Sequence, residues 1–168
     1  MAAVLLVDGM CFFCDMAPPA SIVEQFRPRR DKQIMSLELL SIALGFSSFE
    51  SMVTGRKLRV WSDNTGAETS VAKGSSRAFD HTCLVHCMWV HAIRLGINIR
   101  VDRVPTHDNV ADLPSREDYS LLESLGAKRV EAKLDAMYWK PEAWSSIDAR
   151  RLVLSSTAVR GKKDGIKV

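Results

Sequence analysis

The sequence has no apolar run long enough to cross a bilayer. The stretch Leu5-Leu6-Val7 is too short for the apolar part of a secretory leader, and no charged segment precedes it. We therefore expect an intracellular protein with no membrane partner. Internal repeats are absent. Cysteine is sparse: Cys11, Cys14, Cys83 and Cys87 are the only four. In an intracellular chain of this size they do not predict a disulfide framework. Neither sign of charge dominates, since 23 Lys and Arg stand against 20 Asp and Glu. A net charge of +3 permits a nucleic-acid partner without requiring one.

What remains is an ordinary globular composition. The chain has 168 residues, 46% of them hydrophobic and 26% charged, enough for one domain with a genuine core. Basic residues gather at Arg27–Lys32 and Arg160–Lys167, and each cluster by itself reads as a solvated loop.

Local signals order the chain. Two apolar runs flank Asp8-Gly9, a strong turn dipeptide, so residues 2–15 read as a β-hairpin. Pro18-Pro19 ends it, and a turn or two of helix follows over 21–26 with Ser21 as its cap. Residues 33–49 read as a helix apolar on most sides, and so buried between layers. Residues 57–62 read as a strand. A short helix then runs from Asn64 or Thr65 to Ala72, stopped by Gly74. Asp80 is the expected cap of a helix over 81–95, with Gly96 past its end. Residues 97–104 alternate apolar and polar, as a half-exposed edge strand does. Short helical pieces follow to Gly126. We expect one α/β domain over 1–126 with a mixed sheet, and over 127–168 a weakly structured C-terminal extension.

Three carboxylates stand out. Glu38 lies in an apolar helix, with Ile34, Met35, Ser41 and Ile42 as its neighbours along one face. A charged Glu there needs a partner, a metal or a path to solvent past Ser41. Asp63 ends a strand, where ligands of open α/β sheets sit, or else caps the next helix. Asp112 is either a turn residue or a third member of the set.

Together these segments resemble the ribonuclease H (RNase H-like) domain of retrotransposon reverse transcriptases. The resemblance is carried by Gln33–Leu44, Val60-Trp-Ser-Asp-Asn64, Ala72–Arg77 and, most specifically, Val104-Pro-Thr-His-Asp-Asn-Val-Ala-Asp-Leu-Pro-Ser-Arg116. It covers roughly residues 2 to 126. It implies an RNase H-like mixed sheet flanked by helices, with Glu38, Asp63 and Asp112 matching three of the family's four metal-binding carboxylates. It further implies Mg²⁺ or Mn²⁺ as cofactor and two-metal hydrolysis of the RNA strand of an RNA–DNA hybrid. Lys and Arg would follow the phosphates, and the chain would once have belonged to a larger polyprotein.

The family's first carboxylate lies on its first, central strand. Here Ala3–Cys14 resembles the family's second and third strands with the turn between them, so the first strand and its Asp are expected to be missing. On that alignment Asp8 caps the hairpin turn; the alternative makes residues 3–8 the first strand and Asp8 catalytic. His107 reads as a loop histidine. Loss of the first Asp would impair catalysis and leave, as an alternative, an inactive nucleic-acid-binding remnant. A second alternative is a zinc-stabilised module: Cys83, Cys87 and His91 share one helix face, and Cys11-x-x-Cys14 could add ligands.

Overall fold

The computed structural model describes residues 1–26 and 33–139. The basic clusters at 27–32 and 160–167, and the rest of the C-terminal extension beyond Trp139, lie outside the described residues.

Strands β1 (Ala2–Val7) and β2 (Met10–Asp15) form the expected hairpin. Asp8 and Gly9 carry φ of 50° and 75°, the two successive positive values that a tight two-residue hairpin turn requires and that Asp-Gly accepts at low cost. Helix α1 (Ala20–Phe26) begins directly after Pro19, so Ser21 sits inside its first turn rather than capping it. Helix α2 (Ile34–Ser48) and the single turn α3 (Glu50–Val53) follow. Strand β3 (Lys57–Ser62) leads into α4 (Thr65–Lys73). The Asn64 side chain accepts a hydrogen bond from the Ala67 N–H at 3.0 Å and caps α4, while Gly74 closes it with φ 73°. Helix α5 (Phe79–Leu95) starts two residues earlier than Asp80 predicts. Ala78 is its N-cap, and Asp80 lies within the first turn, accepting from the His81 N–H. Strand β4 (Asn98–Arg103), short helices α6 (Asp112–Ser115) and α7 (Ser120–Ser124), and the two-residue strand β5 (Lys128–Arg129) complete the order.

The strands form two separate sheets. One has the order β1-β2-β5, with β1 antiparallel and β5 parallel to β2; the other pairs β3 with β4 in parallel. The architecture is mixed α/β, with helices packed on small sheets. Along β3 and β4, Leu58, Val60, Ile99 and Val101 turn to the helices. Arg59, Arg100 and Asp102 face outward in an ion-pair lattice, and the Arg59 guanidinium lies 4.3 Å from the Trp61 ring.

Helix α2 is the central element. Leu39, Leu40, Ala43 and Phe46 are buried against α1, α4 and α5. Leu44 joins Leu5, Phe49, Val53 and Ala92 in a second apolar cluster under the hairpin. A Cβ at Gly45 would stand 3.2 Å from that of Ala3, so the missing side chain lets α2 lie directly on β1. Between Gly126 and Trp139 the chain stays attached to the domain. Arg129 bonds Asp15 at 2.8 Å, Tyr119 donates to the same carboxylate, and Tyr138 is fully buried against α5.

Candidate functional site

The half-buried Glu38 carboxyl has its pKa held above the ordinary carboxylate value. Burial is the largest cause, followed by the negative charges of Asp63 and Asp112, while the Met1 ammonium pulls the other way. Three acids far apart in sequence therefore share one electrostatic neighbourhood, as like charges do only at a cost. The local folding explains each position. Glu38 is carried in by the buried middle of α2. Asp63 follows the last residue of β3, where the strand turns into the Asn64 cap. Asp112 opens α6 after the turn in which the Asn109 side chain accepts from the Ala111 N–H. Asp112 also pairs with Arg116 one helical turn on, at 3.2 Å.

The donor set is right in kind for a hard divalent cation, being all carboxylate oxygen. Its spacing is looser than a coordination shell: among the described residues no group of three or more His, Cys, Asp or Glu is placed to hold a metal ion. Asp8 stands apart from the three. It is exposed at the hairpin turn and receives both terminal nitrogens of Arg56, at 3.0 and 2.9 Å, and this pairing lowers its pKa.

Glu38 lines one end of a cavity of about 450 Å³ that runs along α2 between β1 and β3. Ser62 and Asn109–Ala111 share that end; Phe46, Phe49 and Val53 line the other. A second, shallow cavity of about 620 Å³ lies beside α4, lined by Thr65, Thr69, Lys73 and Arg77 among others. Lys73 and Arg77 fall in the Ala72–Arg77 segment of the resemblance, but this face as a whole was not singled out from the sequence. Its signal is present, though, because Thr65, Thr69 and Lys73 recur every fourth residue and so project from one side of the helix. His107 is exposed in a short helical turn, with Asp108 at 3.5 Å.

The zinc set is absorbed by the core. Cys83, Cys87 and His91 do share a face of α5, and all three are buried. The Cys87 thiol, pushed up to about 12 by burial, donates to the Met137 carbonyl, and His91 bonds Tyr138. Cys14 is buried, whereas Cys11 is only partly covered. Along a strand the interval between them turns their thiols to opposite faces. These side chains serve packing, and the zinc reading finds no support in their arrangement.

Comparison with protein-family models, with curated proteins and with solved structures found no match. No helix among the described residues is long and apolar enough to cross a membrane.

Proposed function

We propose that this chain is an RNase H-like domain derived from a retroelement reverse transcriptase, acting on RNA–DNA hybrids, with its hydrolytic power impaired. The observation that carries the reading is that Glu38 lines one cavity with Ser62 and Ala111, the immediate neighbours of Asp63 and Asp112, and the negative charges of both acids bear on Glu38. Such a cluster is costly by itself and is relieved by a cation. Mg²⁺ or Mn²⁺ is the proposed ion, and Glu38, Asp63 and Asp112 are the residues that would hold it if drawn closer than they stand here. Bound there, it would supply an activated water and charge neutralisation at a phosphodiester. The protein's own part is to set the acids at one end of the slot and to offer Lys73 and Arg77 to the phosphates from the cavity beside α4. On this reading the gap between β1 and β3 stands where the family's first strand and its acid would lie, and the protein works in the cytoplasm or nucleus.

The loose spacing of the three acids and the commitment of Asp8 to Arg56 favour a second reading, a remnant that binds hybrid without cutting it. The test is cleavage of labelled hybrid in Mg²⁺ and in Mn²⁺, beside a binding measurement across a salt series, with Asp63→Asn as control. The first reading expects slow cleavage that the variant abolishes. Salt-sensitive binding with no cleavage selects the second, and neither binding nor cleavage rejects both.

A further inference from the structure

The outward face of β3 and β4 holds two cations side by side. Arg59 and Arg100 are register partners on the two parallel strands, and both point away from the helices, their side chains 55% and 74% exposed. Like charges set directly opposite one another destabilise a strand pair. Asp102, which stands across from Trp61 in the same register, offsets one of the two. It accepts from Nε of Arg59 and from Nε of Arg100, the latter at 3.1 Å. Among the described residues the terminal nitrogens of both guanidiniums have no hydrogen-bond partner. Each fork of N–H donors is thus pinned at its base and open at its tip, the arrangement that meets the paired oxygens of a phosphate. Lys57 is exposed on the same face, two residues before Arg59, and leaves it with a net positive charge.

The next residue on this face says what kind of phosphate fits. Trp61 is 51% exposed. The Arg59 guanidinium lies over its ring at 4.3 Å, which holds the indole beside the forks. A flat aromatic surface next to phosphate-binding forks suits a nucleotide, whose base stacks on the ring while its phosphate meets the guanidinium. Inorganic phosphate would leave the ring unused, and an acidic peptide would bring it no flat partner. The chain's own remaining segments are poor occupants. Residues 27–32 and 140–168 each hold more Lys and Arg than Asp and Glu, so a positive face disfavours them and favours a polyanion.

We propose that the outward face of β3 and β4 binds single-stranded nucleic acid, with a base stacked on Trp61 and the neighbouring phosphates held by Arg59 and Arg100. This goes beyond the hybrid reading and does not rest on it, since neither the three acids nor the cavity beside α4 belongs to the face.

The test uses the full chain in buffer with a chelator, so that no strand is cut. The probe is fluorescein-labelled oligothymidylate of about ten nucleotides, with oligouridylate as its RNA counterpart, followed by anisotropy across a salt series. We expect saturable binding that Trp61→Ala weakens at least about tenfold and that Trp61→Phe largely restores. An abasic oligomer with the same phosphates should bind the parent at least about tenfold more weakly than oligothymidylate does. Arg100→Gln should weaken binding and lower the salt slope by about 0.7. On the unmodified chain, an oligomer carrying 5-iodouracil should crosslink at Trp61, so the test stands even if a variant fails to fold. Absence of saturable binding, equal binding of the abasic oligomer, a Trp61→Ala variant that binds like the parent, displacement by polyglutamate at equal charge, or crosslinks confined to residues outside 57–61 and 98–102 would overturn the proposal. Hybrid cleavage is not measured here, so failure of this proposal and failure of the hybrid reading are told apart.

Discussion

The Tyr138 hydroxyl lies 2.9 Å from Nδ1 of His91, and both side chains are fully buried. Burial pushes the phenol well above its ordinary pKa, so it keeps its proton and donates to Nδ1. The imidazole is then the neutral tautomer with its proton on Nε2. Among the described residues that Nε2 has no hydrogen-bond partner, and a Glu50 carboxylate oxygen lies 4.0 Å away. The pair fastens the chain beyond Gly126 to the middle of α5.

Tyr138→Phe should destabilise the fold by roughly 1–3 kcal/mol, because Nδ1 is left buried without its donor. Urea denaturation measures it. A loss well below that range would mean water replaces the hydroxyl.

His91 also sets an acid limit. Burial, then the positive Arg94, hold its pKa below the ordinary 6.5, against weaker pulls from Asp135 and Glu50. The unfolded histidine takes up its proton near 6.5, while the folded one does so only at lower pH. Stability attributable to this residue is therefore intact above that value and is lost as pH falls from it toward the folded pKa. Denaturant midpoints taken downward from neutral pH, with the His91 ring followed by NMR, check this. A ring that titrates at or above its ordinary value contradicts it.

Glu38 has the opposite sign. Its folded pKa is raised above the ordinary 4.5, so the unfolded state releases its proton first. Stability falls as pH rises from that value through the folded pKa. Glu38→Gln should melt higher than the parent near neutral pH, and the advantage should vanish at about pH 4. Added Mn²⁺ should narrow the gap by favouring the charged form. A variant that melts lower at neutral pH would show that Glu38 stabilises the fold.

Two substitutions probe the scaffold. Asn64→Ala removes the cap of α4 and should cost about 0.5–2 kcal/mol. Leu40→Ala opens the middle of the core, where Leu40 has no exposed surface, and should cost about 2–5 kcal/mol. Thermal or urea unfolding reads both.

Elements fixed by local chemistry were legible in the sequence. Asp8-Gly9 dictates its hairpin, Asn64 and Gly74 bracket α4, and Gly96 ends α5. The start of α5 was not, because Asp80 fits a cap and a first-turn residue equally well. Residues 128–138 gave no pattern, since β5 is two residues long and its partner is β2, far away in the chain. The face of Cys83, Cys87 and His91 was legible as a face. What covers it was not, because Met137 and Tyr138 arrive from that unpatterned stretch. The shared neighbourhood of the three acids follows from where α2, β3 and α6 end up. Their spacing within it depends on backbone positions that no pattern of residue types encodes.

The contact between Asp15 and Arg129 spans 114 residues. During synthesis the hairpin emerges early, but β5, which covers the outer edge of β2, is made only near the end of the described chain. Throughout that interval the nascent hairpin offers two bare flanks to whatever passes, and a newly made chain in this state can be captured by pairing with another strand. Efficient production therefore depends on how quickly the last described residues follow the first, so a slow stretch of translation between α5 and β5 would lengthen the exposure, whereas a pause after β5 would not.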